Sequence, residues 1–182
     1  MRHASFALAT LLAAAPFATP ASGFVTVVAG SLASACYDHA RNELSSSRAI
    51  DECTGALGEG LDTHNRAGTY VNRGIIFMNR GTYDRALADF DQALALEPTL
   101  AEGHINRGAV LLVQHDYAGA IAAIDRGLAL NPEDPSRAYY NRGVAHEELG
   151  QVREAYRDYR RAAELAPTWD EPRTELARFR VG

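Results

Sequence analysis

The chain has 182 residues, a formal net charge of −5, and 18 basic residues, every one an arginine. A net acidic surface has no electrostatic reason to seek DNA, RNA or anionic lipid, so nucleic-acid partners are set aside. Beyond the first residues no stretch approaches the ~18 unbroken apolar residues of a transmembrane helix, so no direct membrane span is expected.

Residues 1–23 read as a signal peptide. Arg2 and His3 precede a short apolar run, Phe6 to Ala15, followed by small residues, with Pro16 and Pro20 arguing against a spanning helix. Cleavage after Ala21 or after Gly23 satisfies the small-residue rule, and the mature chain is expected outside the cytoplasm, in a bacterial periplasm. The rest is long enough for one domain with its own core.

Residues 24–66 are less regular. Ser34 to Leu44 reads as a helix with Ala33, Cys36, Tyr37 and Ala40 on one face. Ser45, Ser46 and Ser47 form a turn and supply an N-cap for a second helix, Arg48 to Leu57. A glycine-rich stretch, Gly58 to Gly68, follows. Both cysteines of the chain, Cys36 and Cys53, fall in this hairpin.

From residue 67 onward one tripeptide returns three times: Asn72-Arg73-Gly74, Asn106-Arg107-Gly108 and Asn141-Arg142-Gly143. The glycines stand 34 and 35 residues apart, the signature of a helix–turn–helix array. Each is followed at fixed offsets by an alanine (Ala86, Ala120, Ala155), a bulky residue (Phe90, Ile124, Tyr159) and a proline (Pro98, Pro132, Pro167). Small residues on facing helices permit close approach, the bulky residue is expected to fill the seam towards the neighbouring hairpin, and proline stops the second helix. First helices are expected around Thr69–Asn79 and its equivalents, ending at Gly81, and second helices at Tyr83–Leu96 and its equivalents. Gly127, where the other repeats have alanine, reads as a weakness of up to ~1 kcal/mol. His146 reads as a hydrogen-bonded core histidine. Asp170 to Arg180 reads as a capping helix with Asp170 as N-cap, sealing the open end of the stack.

These offsets resemble the tetratricopeptide repeat (TPR) family over roughly residues 67–169. The resemblance implies an all-α, right-handed superhelix of stacked antiparallel hairpins: a divergent hairpin at 24–66, repeats at 67–100, 101–134 and 136–169, and a capping helix at 170–182. In the aligned register Cys36 and Cys53 face each other across the first hairpin, and a disulfide there suits an exported protein; the alternative is two buried thiols. Ala33 to Cys36 also faintly resembles a lipoprotein cleavage site that would anchor Cys36, although Leu32 stands one residue too far from the cysteine.

In such arrays the first helices line a concave groove. Asn72, Asn106 and Asn141 then form a ladder whose carboxamides, each donor and acceptor, can clasp peptide units of a bound extended chain; the other reading is that they bridge adjacent repeats. Around them Val71, Ile75, Met78, Ile105, Ala109, Leu112, Tyr140 and Val144 form an apolar floor, with Glu102, Arg137 and Glu147 at the edges. Arg73, Arg107 and Arg142 are expected to pair with acids of their own repeats: Asp89 or Asp91, Asp125, and Asp158. The subtype that clamps a C-terminal carboxylate uses lysine and asparagine where this chain has Val71 and Ile75.

No nucleophile–base arrangement, metal-ligand spacing or phosphate loop occurs, so neither catalysis, cofactor nor metal is expected. The arginines at Arg153, Arg157, Arg160 and Arg161 alternate with acids and read as a solvated helix face. The resulting expectation is a non-enzymatic adaptor that binds a protein or peptide segment in the groove. A second reading makes the chain a structural component of an envelope complex or homo-oligomer, acting through its convex face or ends.

Overall fold

A computed structural model describes residues 23–27 and 31–179. The leader up to Ser22, with its cleavage point after Ala21, lies outside the described residues, whereas the alternative point after Gly23 falls at the start of the described segment 23–27. Nine helices and no strand occur among those described: α1 (Ser31–Arg41), α2 (Ser47–Leu57), α3 (Thr63–Asn79), α4 (Tyr83–Leu96), α5 (Ala101–Val113), α6 (Tyr117–Ala129), α7 (Ser136–Glu148), α8 (Val152–Leu165) and α9 (Glu171–Leu176). They pair as α1–α2, α3–α4, α5–α6 and α7–α8, and each pair stacks on the next. The first helices α1, α3, α5 and α7 also touch in succession, forming an inner layer. The result is a helical solenoid closed by α9 against α8.

Capping chemistry explains the starts. Ser46 Oγ accepts from the Ala49 N–H at 3.1 Å and opens α2. Asp62 Oδ1 accepts from the Asn65 N–H at 2.8 Å and opens α3. That cap lies well before Thr69, so the glycine-rich linker is shorter than its composition suggests and Gly68 sits inside α3. At the other end Asp170 does not cap α9; its own backbone is helical (φ −81°, ψ −23°) and its Oδ1 instead accepts from Arg173 Nη1 at 3.0 Å.

The hairpins are held by glycine against bulk. A Cβ at Gly74 would lie 2.5 Å from Phe90 Cε1, at Gly108 2.5 Å from Ile124 Cγ1, and at Gly143 3.0 Å from Tyr159 Cδ1. The bulky residue therefore fills the seam of its own hairpin, where the missing Cβ leaves room, and it also belongs to a cluster with the next element: Phe90 with Ala109 and Val110, Ile124 with Ala138, and Tyr159 with Phe179. In the first hairpin Tyr37 replaces the glycine and Cys53 stands where Phe90 does. A Cys36–Cys53 disulfide spans the seam there, with Cα atoms 4.7 Å apart.

The arginines form a second set of ties. Arg73 grips Asp89 with two parallel bonds, Nε to Oδ2 and Nη2 to Oδ1, both 2.8 Å. Arg142 grips Asp158 in the same way at 2.7 Å. Arg107 departs from expectation: it bonds Asp91 of the preceding repeat at 2.8 Å. Its own repeat carries Ala123 where the others carry Asp89 and Asp158, so no carboxylate faces it there. The preceding repeat reaches forward throughout: Thr54 Oγ1 accepts from Arg73 Nη1 at 3.0 Å, and Asp125 accepts from Arg142 Nη1. Thr54, Asp91 and Asp125 hold one place in successive hairpins, which puts the divergent hairpin in register with the array. Asp89 and Asp158 are buried, so deleting either arginine would strand a carboxylate.

Gly127 is a requirement and not a weakness. A Cβ there would lie 2.5 Å from Ile105 Cγ1 and 3.0 Å from the Ala101 carbonyl oxygen. Gly127→Ala is thus expected to lower stability by about 1–3 kcal/mol in urea unfolding, against the helix-propensity gain that an open site would show. An increase in stability would contradict the close packing of α5 on α6.

Candidate functional site

The inner layer places Asn72, Asn106 and Asn141 one above another on α3, α5 and α7. Each is fully buried, at 0% exposure. A buried carboxamide must find partners for its N–H and C=O groups. Asn72 finds them in the chain's own amino-terminal segment, which runs extended across the inner face.

The Val25 N–H donates to Asn72 Oδ1 at 3.3 Å, and Asn72 Nδ2 donates to the Val25 carbonyl oxygen at 3.0 Å. One repeat further on, Asn106 Nδ2 donates to the Gly23 carbonyl oxygen at 3.3 Å. The two asparagines thus engage alternate residues of an extended chain, matching its two-residue period. Asn106 Oδ1 is buried and has no hydrogen-bond partner among the described residues.

The strap formed by residues 23–27 is also seated by shape. Val25 and Val27 are buried and Thr26 is exposed. A Cβ at Gly68 of α3 would lie 2.6 Å from Val25 Cγ1 and 3.2 Å from Val27 Cγ2, so this glycine is a notch for both valines. At Gly23 the relation reverses: a Cβ there would meet Glu102 Cγ at 2.6 Å. The Gly23 end borders a cavity of about 180 Å³ lined by Phe24, Ile105, Glu102, Glu133 and Asp134, acidic on one side.

The remaining groove candidates divide into two groups. Val71, Ile75 and Met78 are buried in one apolar cluster with Val25 and with Phe24 at its edge, beneath the strap. Ile105 packs with Ile124 and Ala138 and lines the cavity beside Phe24. Ala109 is buried with the first cluster. Leu112, Tyr140 and Val144 belong to the carboxy-terminal cluster with Trp169, Leu176 and Phe179. Tyr140 stacks 4.9 Å from Trp169 and 5.5 Å from Tyr159, and Arg137 lies over the Trp169 ring at 5.3 Å. Burial, with Glu175, Glu171 and Glu147 nearby, pushes the Tyr140 hydroxyl up to about 12. Burial and the hydrogen bond to Glu147 push Tyr159 up as well. His146 accepts or donates a hydrogen bond with Gln151 and is half-buried.

No group of three or more His, Cys, Asp or Glu side chains that could hold a metal occurs among the described residues. Nor is any described helix long and apolar enough to cross a membrane. The site therefore offers carboxamides, apolar notches and an acidic end, which is chemistry for holding a backbone.

The strap residues were missing from the sequence-derived site, although a signal existed. Phe24-Val25-Thr26-Val27-Val28 is a run of β-branched and aromatic residues in an otherwise helical chain, and such a run favours extended backbone.

Two models of the tetratricopeptide repeat match the chain, over residues 71–135 and 108–181. Among solved structures, the second TPR domain of human RPAP3 in complex with the HSP70 peptide SGPTIEEVD is 28% identical. Its TM-score is 0.58, and the match covers 64% of this chain and 96% of that one. The first TPR of Spaghetti (RPAP3) bound to the HSP90 peptide SRMEEVD is 27% identical, with a TM-score of 0.59 and coverage of 64% and 91%. MamA from Desulfovibrio magneticus RS-1 is 26% identical, with a TM-score of 0.63 and coverage of 81% and 82%. No curated protein sequence matches.

If Asn72 holds the strap, Asn72→Ala should speed amide hydrogen exchange at Val25 by about tenfold or more, the size of one to two lost hydrogen bonds. Exchange at Val25 unchanged from wild type would mean that the valine notch alone seats the segment.

Proposed function

We propose, from the premise that the chain belongs to the tetratricopeptide-repeat family, that it is a non-enzymatic adaptor binding an extended segment of a partner protein along its inner face. The observation that carries this reading is the two-sided grip of Asn72 on Val25. A carboxamide that pairs with both the N–H and the C=O of one residue reads backbone and not side chain. A partner's main chain offers the same groups.

Two relatives carry bound peptides, which supports the class of ligand. The mode differs. Where the carboxylate-clamping subtype of the family has lysine and asparagine, this chain has Val71 and Ile75, both fully buried and apolar. An acidic tail has no basic partner there, whereas an uncharged extended segment has asparagines.

Export is part of the proposal. Residues 1–23 have the layout of a leader; of its two cleavage points the one after Ala21 is proposed, because it keeps Gly23 in the mature chain, and a disulfide such as Cys36–Cys53 persists in an oxidising compartment such as the periplasm.

In-cell crosslinking followed by pull-down tests the reading. Wild type is compared with an Asn72→Ala, Asn106→Ala, Asn141→Ala variant whose helicity and melting match it. A partner captured by wild type and lost from the variant is the expected result. Survival of the same partners in the variant would move the binding surface to the convex face or the ends of the stack.

A further inference from the structure

We infer that residues 23–27 are a built-in occupant of the groove, which a partner must displace, and that the displacing segment shares their pattern: small–apolar–Val–x–Val. This rests on the adaptor reading above and adds to it the ligand's side-chain pattern and a gate.

The pattern follows from the seats. Side chains two apart share one face of an extended chain. At the first seat Glu102 crowds anything larger than the Gly23 hydrogen. At the second and third seats the missing Cβ of Gly68 admits Val25 and Val27, which are buried there. The intervening Thr26 is exposed, so that place tolerates any residue, whereas Phe24 is half-buried at the edge of the apolar cluster and calls for an apolar side chain. Array and strap alternate in size: glycine faces valine at one seat, and glutamate faces glycine at the next.

The gate follows from how the strap is held. It belongs to the same chain and so competes at the high local concentration of a tethered ligand, on the order of millimolar for a short tether. Yet it uses the groove incompletely. Among the described residues it clasps Asn72 on both sides and Asn106 on one, and Asn106 Oδ1 is buried with no hydrogen-bond partner there. A separate segment that donates an N–H to Asn106 Oδ1 while accepting from Nδ2 clasps both asparagines. That extra bond is what allows an incoming segment to win the exchange.

The probe is a fluorescent acetyl-Gly-Phe-Val-Thr-Val amide, titrated into the purified chain and followed by anisotropy. Val25→Asp puts a charge into the Gly68 notch and should expel the strap while leaving the notch open to the peptide's own valine. The variant should bind the peptide at least about tenfold more tightly than wild type, and adding Asn72→Ala should abolish the gain. Gly23→Leu, which crowds Glu102 far from the first hairpin, should move affinity the same way and serves if Val25→Asp fails to fold. Equal affinity of wild type and both variants would overturn the gate and leave the adaptor reading standing. No binding by variants that retain wild-type helicity would overturn the pattern. The adaptor reading itself would then fail only if the crosslinked partner also survives the triple asparagine change.

Discussion

In the three regular hairpins a glycine on the first helix lies under a bulky side chain on the second, and this close approach sets how the first helices are turned. Gly74 under Phe90, Gly108 under Ile124 and Gly143 under Tyr159 leave no space for a Cβ. A helix advances about 100° per residue, so the residue two before each glycine points about 200° away, nearly opposite the second helix. That residue is Asn72, Asn106 or Asn141. The intervening arginine points to the side, where it meets carboxylates of its own and the preceding hairpin. One tripeptide thus serves three directions: glycine closes the hairpin, arginine ties the repeats, and asparagine faces the inner layer.

That orientation creates an obligation. Three fully buried carboxamides line one face, and a buried polar group without a partner costs roughly 1–3 kcal/mol. The strap discharges part of the obligation by presenting backbone groups at two-residue intervals. An extended chain is suited to this because its own N–H and C=O groups are not consumed internally, as they are in a helix. The alternation of Gly68 with Val25 and of Glu102 with Gly23 then adds shape to what the asparagines do by hydrogen bonding. The carboxy-terminal end is different. Tyr140 and Val144 are covered by Trp169, Leu176 and Phe179, so the cap that seals the stack also occupies the inner face of the last repeat.

Much of the fold was legible because a 34-residue period and glycine–bulk spacing are local consequences of helix geometry. The limits of α4 at Tyr83 and Leu96 follow from the turn glycine before it and the proline after it. The register implied by the family resemblance set Cys36 opposite Cys53, and the structure joins them, where the sequence left two buried thiols open. What escaped depended on contacts between elements. Arg107 turns to Asp91 because Ala123 removes the acid of its own repeat, a defect visible only once the repeats are superposed. Gly127 looked like poor helix propensity, whereas its value lies in the approach of Ile105. Gly68 looked like a linker, and Asp62 made it helix. The strap escaped because Gly23 reads as the last residue of the leader and the β-branched run that begins at Phe24 follows it directly.

The central claim is that the inner asparagines hold an extended backbone by their carboxamides. Nuclear Overhauser contacts from the side-chain amide protons of Asn72 and Asn106, measured on the folded chain in solution, test it most directly. The account predicts contacts from Asn72 Hδ2 to Val25 and Thr26 and from Asn106 Hδ2 to Gly23 and Phe24, with both carboxamides protected from exchange with water. Carboxamide protons that contact only neighbouring helices, with no cross-peak to residues 23–26, would show that the ladder ties repeats together and does not hold a chain.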